Sequence, residues 1–259
     1  MNDKAERVLV FGDDMRIFLA VVRSLGRAGK EVHAVPFNWH APALKSKYIS
    51  KVHCLPRYSD DAAAWRVSVL DLLRTNAFDL VVPCCDRTIL AFHAHRQEFA
   101  GYPIAIPESR AMDLLFDKKC TRELCLELGI PVVPSASIGP GETAQTLVGR
   151  FGLPLVLKPR RSYWPDRLDA TGKVWIVESE SELQKVLSTL REPWRYLAQT
   201  YFDGVGVGVS VLAKDGRILQ AFQHRRLREG RGGSSSYRVS ESVNEDLIMR
   251  AKRFVTART

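Results

Sequence analysis

The sequence predicts an α/β protein of two domains, with a doubly wound parallel sheet in the first half and an α+β arrangement in the second. The chain has 259 residues, of which 46% are hydrophobic and 26% charged, as in ordinary globular proteins. This length suits two domains of roughly 100–200 residues each. Short apolar runs alternate with helical stripes over the first hundred residues, and antiparallel hairpin signals follow in the second half.

The first strand is predicted at the apolar run of residues 8–11, and a turn follows it at residues 12–14. The next helix has an apolar face of residues at i, i+3, i+4 and i+7, namely Phe18, Val21, Val22 and Leu25. Gly29 stands where this helix is expected to end. Two further strands are predicted at residues 32–35 and 80–84. The helix between them has the apolar stripe Ala62, Trp65, Val69, Leu72 and Leu73.

This alternation of strands and helices is typical of a parallel sheet, in which ligands bind beyond the carboxyl ends of the strands. Residues 12–14 and 85–87 both fall at such ends. No G-x-G-x-x-G pattern follows Gly12, and a nicotinamide-dependent dehydrogenase is therefore disfavoured.

Other classes of protein are disfavoured by composition. No apolar run reaches the roughly 18–20 residues that cross a bilayer, and the N-terminus lacks the apolar core of a signal peptide. The five cysteines, an odd number without C-x-x-C spacing, suggest neither a disulfide framework nor a zinc site. We therefore expect a cytoplasmic protein with reduced thiols and no membrane partner.

In the second half, Asp117 is predicted to cap a helix that ends at Gly129. An apolar strand that ends at Lys158 precedes a polar loop at residues 160–173 and a hairpin partner at residues 174–177. These signals predict a helix that begins at Lys118 and a strand–loop–strand unit whose first strand ends at Lys158.

The remaining elements follow from local signals. Ser179 and Glu182 predict a capping box at the start of a helix. Further strands are predicted at residues 196–199, 209–212 and 218–223. Lys214-Asp215-Gly216 predicts the hairpin turn between the last two, and a loop rich in glycine and serine is predicted at residues 230–236. A helical stripe runs almost to Thr259 without a cap, so we expect the domain to continue beyond this residue; the stripe is Leu247, Ile248, Ala251, Phe254 and Val255.

The two lysines, Lys118 and Lys158, are each typical of a protein surface when taken alone. Together they suggest two ammonium groups that converge on a polyphosphate, because lysine is a compact charge that neutralises phosphoryl oxygens. The net charge of +9 also favours anionic partners such as nucleotides. The densest basic run, at residues 217–231, is alternatively a solvated basic surface.

Four sets of segments stand out, in this order: LLFDK at 114–118 with LELGIPVVP at 126–134, FGLPLVLKP at 151–159, LAQTYFDG at 197–204, and VGVSVL at 207–212 with FQHRRLRE at 222–229 and GGSSS at 232–236. In this order and spacing they resemble ATP-grasp enzymes of the carbamoyl-phosphate-synthase-like group. The resemblance implies a Rossmann-like pre-ATP-grasp domain at residues 1–112 and an ATP-grasp domain at residues 113–259 that is incomplete at its C-terminus. It divides the second domain into a small lid-bearing subdomain at 113–198 and the start of a larger one at 199–259.

The resemblance also implies roles for individual residues. Those implied in nucleotide binding are Lys118, Lys158, Gln199, Thr200, Phe202, Gly232, Gly233 and Ser234. The two lysines would hold the phosphates of ATP, the backbone at residues 199, 200 and 202 would contact the adenine, and the glycine-rich turn would present N–H groups to an anion. Arg226, implied as catalytic, would lie at the mouth of the site. The loop at residues 160–172 would close over the triphosphate; it is alternatively a mobile surface loop.

The sequence departs from the family at two places. Arg160, Arg161 and Trp164 occur in the loop where relatives often carry glycines, so either backbone or arginine side chains would hold the phosphates. The family's Mg²⁺ ligands, a glutamate and a Glu-x-Asn motif, would follow Thr259 and are expected outside this sequence. We therefore expect a chain that does not turn over ATP by itself, and whose uncovered C-terminal stripe favours formation of a homodimer.

The function implied by the resemblance is that of an ATP-dependent carboxylate–amine ligase with ATP and Mg²⁺ as cofactors. Such an enzyme activates a small-molecule carboxylate as an acyl phosphate and joins it to an amine or another nucleophile. One alternative is a nucleotide-binding module without catalysis. A less favoured one is a basic nucleic-acid-binding protein, because no nucleic-acid-binding motif accompanies the charge. The fold does not identify the substrate.

Overall fold

The structure is a computed structural model that describes residues 6–164, 167–168, 170–229 and 235–257. The chain divides into two compact units. The first comprises Met1–Met112 together with Tyr163–Thr171, and the second comprises Asp113–Ser162 together with Gly172–Thr259. Across the residues described, no helix is both long enough and apolar enough to span a membrane.

A four-stranded parallel sheet in the order β3-β2-β1-β4 forms the centre of the first unit. Its strands are β1 (Arg7–Phe11), β2 (Glu31–Val35), β3 (Ile49–Val52) and β4 (Leu80–Pro83). Its helices are α1 (Ile17–Arg27), α2 (Ala62–Thr75) and α3 (Asp86–Ala94), and α4 (Ser109–Leu115) crosses into the second unit. A short 3₁₀ helix at Pro42–Lys45 precedes β3.

The predicted strands and helices of the first unit are confirmed where the apolar pattern is strong. In β1, Val8, Leu9, Val10 and Phe11 are all buried, and α1 packs its apolar face on β1 and β2. Gly29 follows α1 with a φ of +76°, the left-handed conformation that ends helices. The sequence does not predict β3, because this edge strand is largely exposed and lacks an apolar run.

The second unit contains two antiparallel sheets with the orders β5-β8-β6-β7 and β11-β10-β9. The strands of the first are β5 (Ser135–Ser137), β6 (Leu155–Pro159), β7 (Trp175–Val177) and β8 (Tyr196–Thr200). The strands of the second are β9 (Val207–Lys214), β10 (Arg217–Glu229) and β11 (Ser235–Glu241). The helices are α5 (Lys118–Glu127), α6 (Ala144–Phe151), α7 (Glu180–Thr189) and α8 (Glu245–Thr256), and a 3₁₀ helix spans Pro193–Arg195.

Local signals place most of these elements correctly. The Asp215-Gly216 turn between β9 and β10 has positive φ at both residues, as a two-residue hairpin loop requires. Ser179 caps α7 by accepting a hydrogen bond from the Glu182 N–H, although the Glu182 carboxylate accepts from the Glu178 N–H instead of closing the predicted box on Ser179. The strand β11 is not predicted, since the sequence pattern assigns residues 235 and 236 to a loop.

The apolar stripe of α8 differs from expectation. The sequence predicts that it is uncovered, whereas all five of its residues are half-buried because α8 packs against β9 and β10. The helix is held at its start by Asn244, whose side chain accepts a hydrogen bond from the Leu247 N–H. A second bond runs from the Asn244 N–H to the Gln223 side chain on β10. The three-stranded sheet and α8 therefore pack as one piece of the second unit.

Candidate functional site

Lys158 lies near the end of β6, where the strand alternates between fully buried and half-buried residues. Leu155 and Leu157 enter the core, whereas Lys158 lies on the other face and is half-buried. Its Nζ donates a hydrogen bond of 2.5 Å to Oε1 of Gln199 on the neighbouring strand β8. Gln199 sits diagonally across from Lys158, because Lys158 pairs with Leu197, and diagonal positions share a face of an antiparallel pair.

The ammonium group of Lys158 is held in a position that is unfavourable for a charge. Burial lowers the pKa of Lys158, and the like charge of Lys118 lowers this pKa further. In the described part of the chain its one hydrogen-bond acceptor is a neutral amide, and no carboxylate pairs with it. An anion that binds here would therefore relieve both the desolvation and the repulsion.

Asp117 joins the helix that begins at Lys118 to the loop that follows β6. Only 1% of the Asp117 side chain is exposed, and it receives the Nη2 of Arg160 at 2.7 Å and the Nε of Arg161 at 3.2 Å. The same carboxylate caps α5 by accepting a hydrogen bond from the Lys119 N–H. Burial alone would raise the pKa of Asp117, but these hydrogen bonds and charges outweigh it and hold the pKa below its ordinary value.

Lys118 is the first residue of α5, so the Asp117 cap fixes its position. Its backbone N–H donates to the Arg160 carbonyl at 2.9 Å, and its Nζ lies 3.5 Å from Oγ of Ser162. The structure thus brings together Lys118, Lys158 and Gln199 of the predicted nucleotide-binding residues. The Asp117–Arg160–Arg161 cluster is a site feature that the sequence pattern misses, although it does predict Asp117 as a cap.

The three residues implied in adenine binding lie at the end of β8 or just after it, and they differ in their surroundings. The Thr200 N–H donates to the Pro134 carbonyl at 3.1 Å and is therefore not available to a ligand. Phe202 follows the end of the strand, outside the sheet pairing, and the residue is 72% exposed. The resemblance implies only a backbone role for Gln199, whereas its side chain holds Lys158. The sequence does contain a signal for this contact: a glutamine on the strand that neighbours a buried lysine.

Arg226 lies on β10 in the second sheet of the unit. It pairs with Arg238 on β11 and its N–H donates to the Gly206 carbonyl at 2.7 Å. Arg226 is half-buried, whereas its neighbour Arg225 is exposed and bonds Glu241 at 2.6 Å. The two arginines therefore differ in environment, as strand alternation predicts. The glycine-rich turn with Gly232, Gly233 and Ser234 lies outside the described residues.

The acidic residues at the strand ends of the first unit have structural partners. Asp14 accepts hydrogen bonds from the N–H groups of Arg16, Ile17 and Phe18 at the start of α1. Asp13 accepts from the N–H groups of Phe37 and Asn38, the latter at 2.6 Å. These carboxylates serve the fold. Over the described ranges, no three His, Cys, Asp or Glu side chains are grouped so that they could hold a metal ion.

Known proteins resemble this chain in sequence over part of its length and in fold over almost all of it. No family model matches the chain. A formate-dependent phosphoribosylglycinamide formyltransferase from Marinobacter nauticus is 35% identical over 140 residues, which are 54% of this chain and 33% of that protein. An L-amino acid ligase from Bacillus licheniformis superposes with a TM-score of 0.73 at 14% identity, over 99% of this chain and 61% of the ligase. The N5-carboxyaminoimidazole ribonucleotide synthetase of Thermus thermophilus gives a TM-score of 0.68 at 17% identity, over 96% of this chain and 64% of the synthetase.

The chain has the ATP-grasp fold. The biotin carboxylase domain of the Hydrogenobacter thermophilus 2-oxoglutarate carboxylase, solved with MgADP, ADP and bicarbonate, superposes with a TM-score of 0.71 at 16% identity, over 97% of this chain and 58% of that one. The predicted fold class is thus confirmed, and the predicted resemblance to ATP-grasp enzymes is confirmed at the level of the fold. The chain spans about three fifths of the length of these ATP-grasp structures, and the matched region is one third of the curated relative.

Proposed function

We propose that the second unit binds ATP, and that the protein is an ATP-dependent ligase that activates a carboxylate as an acyl phosphate and joins it to an amine or another nucleophile. The observation that carries this proposal is the half-buried Lys158, which is held by the neutral Gln199 side chain beside the like charge of Lys118. Sites that bind polyanions often hold two cations close together, although burial and mutual repulsion make this unfavourable until the anion binds. The ATP-grasp fold supports the nucleotide as the polyanion.

In this proposal each group has a physical task. Lys158 and Lys118 bind phosphate oxygens of ATP, and Gln199 keeps the Lys158 side chain in one orientation. Asp117 fixes the start of α5 and therefore the position of Lys118. The backbone at Phe202 contacts the adenine, since that of Thr200 already donates to Pro134. Positioning and charge neutralisation of this kind supply most of the catalysis in phosphoryl transfer.

The chemistry would proceed in two steps. A carboxylate oxygen attacks the γ-phosphorus of ATP, and the bond between this phosphorus and the oxygen that bridges the β- and γ-phosphates breaks. The products are an acyl phosphate and ADP, which is the leaving group. An amine or another nucleophile then attacks the acyl carbon, loses a proton, and displaces inorganic phosphate. Arg226 is proposed to stabilise negative charge in this sequence, because it is the less exposed of the two adjacent arginines.

The names of similar proteins support the substrate classes without fixing them. One is an amino acid ligase, another a carboxyaminoimidazole ribonucleotide synthetase, and a third was solved with MgADP and bicarbonate. Small carboxylates and amines are therefore proposed as partners, and Mg²⁺ as the ion that accompanies the nucleotide. The described residues do not group acidic side chains into a site that would hold Mg²⁺.

The proposal is tested by ATP-induced thermal stabilisation of Lys158→Ala beside Lys185→Ala, an exposed lysine on α7. Unmodified protein and Lys185→Ala should gain about 2.7 kcal/mol at an ATP concentration of about 100 times Kd. Lys158→Ala should gain nothing while it melts cooperatively without ATP. An equal gain in Lys158→Ala would contradict the assignment of the phosphate site.

A second variant tests the role of the amide. Gln199→Glu places a carboxylate within reach of the Lys158 ammonium. The charge of the lysine is then balanced by an ion pair in the absence of ATP. ATP binding should weaken at least tenfold in Gln199→Glu, measured by calorimetry, and should weaken less in Gln199→Met. ATP binding by the full protein without ADP release in the presence of carboxylates and amines would favour the non-catalytic alternative.

A further inference from the structure

A cleft in the first unit has no role in the proposed function. It lies where residues that follow β2 and β3 meet the start of α3. It consists of an outer cavity of about 620 Å³ and an inner one of about 70 Å³, which adjoin because Phe37 and Arg57 line both. In an open parallel sheet, crevices at the carboxyl ends of the strands are the usual ligand sites.

The inner cavity contains an arginine in an unusual setting. Cζ of Arg87 lies over the ring of Phe37, 5.1 Å from its centroid, and over the ring of Tyr163 at 5.9 Å. Among the residues that the structure describes, the Arg87 side chain makes no hydrogen bond or ion pair, and its guanidinium group lies against these two rings. Rings over the guanidinium carbon hold the side chain in place but do not use its N–H donors, which lie in the guanidinium plane.

The other charged groups of the cleft select the type of anion. Arg57 is already paired with Asp60 at 2.7 Å, so this pair adds no net charge. Asp60 also lines the outer cavity and repels highly charged ligands. The Arg87 guanidinium has no polar partner among the described residues, and a single guanidinium fork matches a planar carboxylate, whereas a doubly charged phosphate would need further cations.

Size and lining define the rest of the ligand. The inner cavity has the volume of about two water molecules, which suits a carboxylate group. The outer cavity falls within the roughly 300–1,000 Å³ of small-molecule sites. Its lining combines apolar side chains, among them Trp39, Leu55 and Pro56, with the polar Asn38, Arg57 and Asp60. We propose that this cleft binds a small molecule with one carboxylate, held by Arg87, on an apolar or aromatic body that occupies the outer cavity.

The test uses calorimetry with 3-phenylpropionate and its neutral amide as matched probes. The carboxylate should bind at least tenfold more tightly than the amide, and Arg87→Gln should abolish this preference. Arg87→Lys keeps the charge and should keep part of the preference. Arg23→Gln removes the same charge from an exposed position on α1 that lines neither cavity, and should bind like the unmodified protein.

Location is checked separately by the indole N–H signals of Trp39 and Trp65, which line the outer and inner cavities. Both should shift on titration with 3-phenylpropionate. Equal affinity for acid and amide, equal affinity in Arg87→Gln, or a preference for inorganic phosphate would overturn the proposal. Loss of ATP binding by the second unit would not overturn this proposal, because the proposed site lies in the first unit alone. For the same reason, stabilisation by ATP should be unchanged in Arg87→Gln.

Discussion

Two contacts between arginine and a carboxylate in the second unit have nearly the same length but very different surroundings. Arg160 Nη2 lies 2.7 Å from Asp117, whose side chain is 1% exposed, and Arg225 Nε lies 2.6 Å from Glu241, whose side chain is 28% exposed. The Arg225 side chain is itself 46% exposed. Distance alone would rank the two contacts as equal.

Burial and connectivity separate them. The buried Asp117 carboxylate binds Arg160 and Arg161 and caps α5 by accepting from the Lys119 N–H. Removing the carboxylate therefore leaves two guanidinium groups and one N–H group without an acceptor. The Arg225–Glu241 pair is a cross-strand contact that water and salt replace readily. The basic run in the sequence contains Arg225, which belongs to the exposed pair. The more strongly interacting charges are those of the buried Asp117 and its two arginines.

The largest expected effect breaks the Asp117 cluster. Asp117→Asn keeps a side chain that caps a helix as well as aspartate does, but it removes the charge that binds Arg160 and Arg161. The free energy of unfolding should fall by about 3 kcal/mol, measured by urea denaturation. Glu241→Gln is the matched control and should cost less than about 1 kcal/mol. Equal losses in the two variants would show that burial does not separate these contacts.

The pH dependence sharpens the same comparison. The folded-state pKa of Asp117 lies below its ordinary value of 3.8, so the cluster contributes its stability above that pH. The contribution is lost as pH falls through the folded pKa. The stability difference between unmodified protein and Asp117→Asn should therefore be constant from pH 7 to about pH 5 and should shrink below about pH 4. A difference that shrinks already between pH 7 and pH 5 would point to another titrating group.

A smaller effect compares the adjacent arginines of β10 and depends on the proposed function. Arg226→Ala should reduce substrate-dependent ADP formation by the full protein roughly tenfold, which corresponds to about 1.4 kcal/mol. Arg225→Ala should leave it unchanged, because Arg225 is exposed and paired with Glu241. The reverse result, with Arg225→Ala impaired and Arg226→Ala active, would reassign which face of β10 meets the substrate.

The smallest effect concerns the exposed pair itself. Arg225→Gln should lower the free energy of unfolding by about 0.5 kcal/mol at low ionic strength, and raising the salt to about 1 M should remove this difference. Thermal unfolding at two salt concentrations measures it. A salt-independent loss would mean that Arg225 contributes by packing rather than by charge.

The sequence alone determined the features that depend on near neighbours. The burial of β1, the end of α1 just before Gly29, the Asp117 cap and the Asp215-Gly216 turn are each set by a few consecutive residues. Apolar periodicity and backbone preferences act between residues that are close in sequence. The predictions that depend on them are confirmed by the structure. The ordered segments that resemble ATP-grasp enzymes extended the prediction to the fold.

Only the tertiary structure decided which charged groups meet. Lys158 bonds Gln199 across 41 residues of sequence, and Asp117 bonds Arg160 across 43. The pairing of β6 with β8 brings the first pair together, and the packing of α5 beside the end of β6 brings the second. Edge strand β3 escapes prediction for a related reason, since an exposed strand is held by hydrogen bonds to its neighbour and needs no apolar run. Sequence patterns record local conformation and burial, whereas contacts between distant polar side chains follow from strand order and register.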